Sequence, residues 1–294
     1  MNLAYALIGI ALALSYYIGR LVWKRIGDTD IYYYNVLFCG GATVLLTFAL
    51  VAFAISEGSV FSFGGFLWIN VLQAGVSISL LAFMHFKVGW KEIWKLVAKD
   101  RRYILYATLF FSLGLALGLT VQDQVYELAN QQLEDIEEIS ELSVDKPAWE
   151  ITAFIFGNNT KTAILLGVAL PLIPLIGGVY VIFSMFLNGA VVGVVGAIID
   201  KPFHYFLVGI VPHGIFEIPA ILLAAAVGLK LNSRIIFGFL AAFTERERNA
   251  SEVFTEYLQE GIESWKIMYL VIFLLIIAAI IESTLTPALL SHIS

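Results

Sequence analysis

Charged residues are scarce in this sequence: they make up 14% of its 294 residues, whereas soluble domains carry about 25%. Apolar residues account for 60%, and the mean hydropathy is +0.88. This composition excludes a soluble globular domain. Because apolar stretches of about 18 or more residues recur along the chain, it predicts an all-α, polytopic integral membrane helix bundle with about seven transmembrane spans. The alternating strands of about 10 residues that build an outer-membrane barrel are missing too.

The chain also lacks three other features. It has one cysteine, Cys39, which lies in an apolar run, can form no intrachain disulfide and is interpreted as a core residue. It has no excess of basic residues, because its formal charge is −6, and this predicts no nucleic-acid partner. Its first apolar segment, Leu3 to Gly19, has no positive residue ahead of it and no small-residue cleavage site, so we expect a retained span and not a signal peptide.

Three regions are predicted. Residues 1–121 form an N-terminal four-span membrane region, residues 122–147 an acidic extracytoplasmic amphipathic segment, and residues 148–294 a membrane core with a charged helix at 244–264. The basic segment 87–102 joins the third and fourth spans, and its apolar residues recur at helical spacing. This pattern is typical of a helix on the membrane surface, although a cytoplasmic linker that follows the positive-inside rule would look the same.

The second half of the chain contains two interrupted apolar stretches, in which we expect broken or re-entrant helices. The helix-breaking residues are Pro171 and Pro174 in the first stretch, and Pro212, Gly214 and Pro219 in the second. Proline kinks are also ordinary in membrane helices. Whether residues 148–199 cross the membrane once or twice stays open at this point.

His213 and Glu217 are the most informative residues, because ionisable side chains cost roughly 2.5–3.5 kcal/mol in hydrocarbon on insertion scales. They stand four positions apart, so a helix places both on one face. We expect them to form a functional polar core, to which Asn158, Asn159 and Asn188 add neutral polar groups. The pair could handle protons or an ion, or tie broken helix ends together by hydrogen bonds.

Two further chemistries, metal binding and hydrolysis, have weaker support in the sequence. A metal site using His213 and Glu217, with Asp200 and His204 as further ligands, is an alternative, but the spacing matches no metalloprotease signature, and we expect neither a metal nor another cofactor. Hydrolysis would need a nucleophile next to a base. The sequence shows no glycine-x-serine-x-glycine element, so no catalytic residue is assigned and no enzymatic activity is expected.

The order of Asn158 or Asn159, then Leu187-Asn188-Gly189, then Pro212-His213-Gly214 with Glu217 and Pro219-Ala220, resembles the stage II sporulation protein M family over about residues 150–232. The resemblance implies a shared membrane core in which Asn188, His213 and Glu217 occupy motif positions. It also implies a membrane-embedded partner of peptidoglycan-degrading proteins that is not itself the hydrolase. Relatives occur in prokaryotes that form no spores, so the sporulation role does not transfer directly.

The sequence therefore predicts a non-enzymatic, multi-pass protein of a prokaryotic cell membrane that anchors or organises an envelope-associated assembly. Its expected partners are the lipid bilayer, envelope proteins and a second copy in a homodimer. The alternative is a secondary transporter or channel for a small ion or polar solute, in which the pair of His213 and Glu217 couples protonation to movement.

Overall fold

The computed structural model describes residues 88–120, 147–198, 203–245 and 248–292, and every regular element within them is helical. The α-helices are α1 (Trp90–Lys99), α2 (Arg101–Thr120), α3 (Ala148–Ile164), α4 (Ile176–Ile198), α5 (Phe203–Thr244), α6 (Ala250–Glu263), α7 (Ile267–Ile280) and α8 (Thr286–Ser291). Short π-helical and 3-10 turns extend α3 and join the helices from α6 to α8. The first three predicted spans, Cys39, the acidic segment 122–146 and Asp200 lie outside the described residues.

Within the described residues, five helical runs are long and apolar enough to cross a membrane: Arg101–Thr120, Ala148–Leu172, Ile176–Ala197, Leu207–Thr244 and Ala250–Ser291. The predicted all-helical class is thus confirmed for the described part of the chain. Two of the runs fall within residues 148–198, which favours two crossings there over a single tilted one. The total of seven spans is not confirmed, because part of the chain that would supply it is not described.

Helices α2 and α4 touch backbone to backbone through glycines. A Cβ atom placed on Gly114 or on Gly189 would lie 1.9 Å from a backbone oxygen of the opposite helix. At Gly118 and Gly193 the corresponding distances are 2.3 and 2.4 Å. No side chain fits in such a gap, so glycine on both helices is what allows their close approach.

The chain leaves α-helical geometry between α3 and α4, where Pro171 and Pro174 lie. A π-helical turn over Leu165–Ala169 and a 3-10 turn over Leu170–Leu172 lead into this connection. The side chain of Asn232 on α5 donates hydrogen bonds to the carbonyl oxygens of Pro171 at 3.0 Å and of Ile173 at 2.9 Å. Asn232 therefore binds carbonyl groups that an uninterrupted helix would satisfy itself.

The predicted interruption at Pro212, Gly214 and Pro219 is wrong, because α5 runs through all three residues as one helix. The two prolines stand seven residues apart, which is about two helical turns and puts them on the same side. That side also carries Ile215, which is 61% exposed, and Pro219 itself is exposed. Each proline costs one backbone donor, and a membrane helix absorbs that loss by local adjustment of neighbouring groups.

Helix α5 is longer than a bilayer requires. Its 42 residues extend about 63 Å at 1.5 Å per residue, about twice the ~30 Å hydrocarbon thickness. Helix α6 folds back along its end: Arg234 forms an ion pair with Glu260 at 2.8 Å, and the rings of Phe239 and Phe254 pack with centroids 4.7 Å apart. We call residues 233–263 the α5–α6 arm.

Candidate functional site

The end of the bundle from which the α5–α6 arm extends holds a buried ion pair that the sequence did not predict. Asp100 separates α1 from α2, and its Oδ1 lies 2.8 Å from Nζ of Lys230, in the middle of α5. Both side chains are almost fully buried, at 3% and 1% exposure. Ser264, which precedes α7, donates its hydroxyl hydrogen to the other carboxylate oxygen of Asp100. Three segments are therefore joined at this level, which we call the basic end.

Helix α1 is attached to the basic end by both apolar and ionic contacts. Ile93 and Leu96 are buried, the Trp90 ring packs edge-on against rings of α7, and Lys99 binds Glu263 of α6 at 2.8 Å. The Glu263 carboxylate raises the pKa of Lys99 above its ordinary value. The helix that the sequence suggested for segment 87–102 is thus present, and its apolar residues contact the bundle.

The second polar centre brings three side chains together. His213 and Glu217 lie one turn apart on α5, and Glu282 lies in the turn that follows α7. One nitrogen of His213 and one oxygen of each carboxyl group all lie within 4.8 Å of one another. All three side chains are partly buried, and Nδ1 of His213 is buried without a hydrogen-bond partner in the described structure. We call these three residues the His–Glu–Glu cluster.

A π-helical turn presents Glu282 to the cluster. Residues Ile281–Leu285 adopt this geometry between α7 and α8, and such turns occur frequently at functional sites. The turn is anchored by Ser283, whose hydroxyl lies 2.6 Å from the hydroxyl of Thr152 on α3. The turn that carries Glu282 is therefore fixed to α3.

The cluster lies far from the basic end. Glu217 and Lys230 lie 13 positions apart on α5, which corresponds to about 20 Å along the axis. Ser264 and Glu282 lie 18 positions apart, or about 27 Å at the same rise. If the basic end marks one surface of a hydrocarbon layer of about 30 Å, these lengths place the cluster past the middle of that layer.

The three asparagines expected in the polar core are not joined to this cluster by any hydrogen bond that the structure records. Asn188 donates to the carbonyl oxygen of Ser184 on its own helix, at 2.8 Å. Asn158 and Asn159 lie half-buried on α3. The side chain of His204 is not described. Glu282, which lies just past the apolar run at 265–281, takes the place next to His213 and Glu217.

The length that a membrane span requires could have revealed Glu282 in the sequence. A span that begins at Trp265 needs about 20 residues to cross ~30 Å, so it ends near residue 284 and still contains Glu282. Lys230 could not have been found in this way. A charged residue at the end of an apolar run indicates the boundary of a span, and Asp100, the partner of Lys230, lies in a different segment of the sequence.

The electrostatics of the cluster indicate what it can bind. Two ionised carboxyl groups with oxygens within 4.8 Å of each other would repel each other by about 3.5 kcal/mol or more at an effective dielectric constant of about 20. In the described structure neither Glu217 nor Glu282 forms an ion pair with a lysine or arginine. A proton or a bound cation must therefore offset the repulsion, and the imidazole offers a further ligand atom.

Comparison with known proteins gives a family and two relatives. The sequence model of "Stage II sporulation protein M" matches residues 107–287, a longer range than the resemblance at 150–232 suggested. The uncharacterized protein MJ0706 of Methanocaldococcus jannaschii is 26% identical over 205 residues, covering 67% of this chain and 86% of the relative. The uncharacterized protein MJ0793 of the same organism is 26% identical over 191 residues, covering 65% and 97%. No solved structure matches.

Proposed function

Because the chain belongs to the stage II sporulation protein M family, we propose that it is a non-enzymatic, multi-pass component of a prokaryotic cell membrane that anchors or organises an envelope-associated protein assembly. The family is not a known enzyme family, and its matched range contains the whole described bundle from α3 to α7. The proposal needs a rigid membrane core and a surface for partners.

The α5–α6 arm is the observation that carries the proposal. It lies beyond Lys230 along α5, and its Ile235 and Ile262 still pack in the buried core. Its α5 portion presents large apolar side chains to the surroundings, with Phe243 80% exposed and Leu240 56% exposed. A contiguous exposed apolar surface of this kind marks a contact with protein or membrane. Because α6 braces it through Arg234 and Glu260, the arm is suited to hold a partner in a fixed position.

The packing of the helix bundle indicates that the protein keeps one arrangement of its helices. The glycine contacts between α2 and α4 leave no space for a side chain, and the pair of Asp100 and Lys230 is buried. Sliding α2 along α5 would separate this buried ion pair, at a cost of several kcal/mol. A core built in this way favours a scaffold over a protein that alternates between two packings.

The transporter alternative requires a polar route from the His–Glu–Glu cluster to both surfaces. On α5, every side chain from Ile218 to Leu229 is apolar. This stretch lies between the cluster and the basic end, so α5 offers a moving ion no ligand along that path. Purified protein in proteoliposomes should pass protons or Zn²⁺ no faster than empty vesicles do; flux that is lost in Glu217→Gln would favour the transporter.

Site-specific photocrosslinking in cells tests the scaffold. A photoreactive amino acid replaces Phe243 on the arm, or, as the matched control, Ile215 on the same helix, which is 61% exposed within the apolar span. We expect Phe243 to crosslink the same envelope protein in repeated experiments, and Ile215 to crosslink lipid only.

Crosslinks from Phe243 to a second copy of the chain would support the homodimer. Crosslinks to lipid alone from both positions would refute the arm as a partner surface. A variant with Phe243→Ser and Leu240→Ser should lose the protein adduct at a neighbouring probe position while the protein stays folded and in the membrane.

A further inference from the structure

The His–Glu–Glu cluster has the composition of a metal site that sequence spacing alone did not assemble. One imidazole and two carboxyl groups are a ligand set that zinc accepts, with metal–ligand bonds of about 2.0–2.2 Å. Tetrahedral bonds of that length place ligand atoms about 3.4 Å apart. The three atoms here lie within 4.8 Å of one another, so side-chain rotations that move each by about 1 Å would close the site.

The charge balance of the cluster agrees with a divalent cation. Glu217 and Glu282 together carry two negative charges when ionised, and Zn²⁺ with a neutral His213 makes the group neutral overall. Neutrality matters in this position, because an uncompensated charge inside the bilayer costs several kcal/mol. A monovalent ion would leave one negative charge uncompensated.

The imidazole supplies a second and independent observation. Nδ1 of His213 is buried and makes no hydrogen bond in the part of the chain that the structure describes, although a buried polar atom without a partner costs about 1–3 kcal/mol. A metal ion bound at this nitrogen would satisfy it. A proton shared between Glu217 and Glu282 would relieve the carboxyl repulsion but leave the nitrogen unsatisfied.

We propose that His213, Glu217 and Glu282 bind a divalent transition-metal cation, Zn²⁺ being the ion that suits this ligand set, within the half of the membrane opposite the basic end. Three protein ligands leave a fourth coordination position for water or another small ligand. The metal ties α5 to the turn after α7 at the end of these helices that has no ion pair of its own in the described structure. This role is separate from the partner contacts of the α5–α6 arm.

Metal analysis of the full-length protein is the first test. Protein purified in detergent is stripped with a chelator, incubated with one of Zn²⁺, Mn²⁺ or Ca²⁺, freed of excess metal and analysed by mass spectrometry. We expect about one Zn²⁺ per chain, a higher melting temperature with Zn²⁺, and little retention of Ca²⁺, which prefers six to eight oxygen ligands. Retention of Mn²⁺ in place of Zn²⁺ would overturn the assigned ion.

Variants locate the ion. Glu282→Gln and His213→Gln each remove one ligand and should weaken Zn²⁺ binding by about hundredfold or more, since even outer-shell changes cost 10–100-fold. The matched controls are Glu252→Gln and His292→Gln, which change an exposed carboxyl and an exposed imidazole and should bind as the wild type does. Equal binding by all four variants would place the metal elsewhere and overturn the site.

X-ray absorption at the zinc edge keeps the proposal testable if the ligand variants do not fold. The wild-type protein should show nitrogen and oxygen ligands at about 2.0–2.2 Å and no sulfur at about 2.3 Å, which excludes Cys39 as the ligand. A sulfur shell, or less than about 0.1 Zn²⁺ per chain with no change in melting temperature, would refute the site.

Discussion

Substitution of Lys230 by methionine tests whether the buried ion pair at the basic end holds the bundle together. Methionine keeps much of the length and apolar surface of the lysine stem but removes the cation. It leaves the Asp100 carboxylate, which is 3% exposed, with the Ser264 hydroxyl as its remaining described partner. Removing one member of a buried pair typically costs 3–5 kcal/mol, because a charge stays buried without compensation. We expect Lys230→Met to destabilise the protein by about 4 kcal/mol.

The chain offers a matched control in the neighbouring pair of Lys99 and Glu263. Its nitrogen and oxygen atoms are also 2.8 Å apart, but the side chains are 50% and 35% exposed. Exposed pairs contribute about 0–1 kcal/mol, so Lys99→Met should cost less than ~1 kcal/mol. Because the two pairs have the same nitrogen–oxygen distance, the difference between the variants reports the effect of burial.

The stability of both variants is measured by unfolding in detergent with increasing SDS. Tryptophan fluorescence reports the unfolding, and the fully buried Trp265 beside Ser264 contributes to it. The double variant with Asp100→Leu and Lys230→Met removes both charges and should recover to within about 1–2 kcal/mol of the wild type, since buried pairs can often be replaced by apolar residues. The reasoning fails if Lys230→Met is no worse than Lys99→Met. It also fails if the double variant loses the sum of both single effects, which would mean that the two residues do not interact.

Three further outcomes are expected. Gly189→Ala should destabilise the protein by about 1–3 kcal/mol through overpacking against α2, whereas Gly209→Ala, where a Cβ meets nothing within 4 Å, should be neutral or stabilising in the same unfolding assay. Asn232→Leu should cost about 1–3 kcal/mol because two carbonyl oxygens lose their partner, whereas Asn188→Leu, whose amide binds only its own helix, should cost less. The Glu263 carboxylate raises the pKa of Lys99, so this ion pair stabilises the protein at neutral pH and weakens as pH rises through that raised pKa. The difference in melting temperature between the wild type and Lys99→Met should therefore be constant from about pH 6 to 9.

Much of the fold follows from hydropathy, because the length of an apolar run and the thickness of a bilayer determine where spans can lie. The apolar runs at 103–121 and 265–281 coincide with α2 and α7 to within a few residues for this reason, whereas the bounds of α4 were not predicted. The prolines of α5 were misinterpreted, because the rule that proline ends a helix assumes that the chain has a better alternative. Inside a membrane a broken helix exposes unsatisfied backbone groups, so a bent but continuous helix costs less.

The polar centres were predicted only as far as local spacing reaches. His213 and Glu217 share a helix, and their four-residue separation is visible in the sequence. Glu282 joins them through the packing of α7 on α5 and through a π-helical turn, neither of which a helical repeat of 3.6 residues reveals. Asp100 and Lys230 are both charges at apparent span ends, and only the three-dimensional packing shows that they neutralise each other.

The two centres connect α5 to the α7 region at opposite ends, but they differ in charge. At the basic end, Lys230 neutralises Asp100, and Ser264 completes the contact, so this connection needs nothing from outside the chain. At the other end, Glu217 and Glu282 approach each other with only an imidazole beside them. Packing in the apolar stretch between the centres holds α5 and α7 side by side but cannot offset the repulsion of two ionised carboxyl groups. An external cation would therefore add a second connection between the same elements, and the stiffness of the bundle on which the α5–α6 arm rests would depend on its supply.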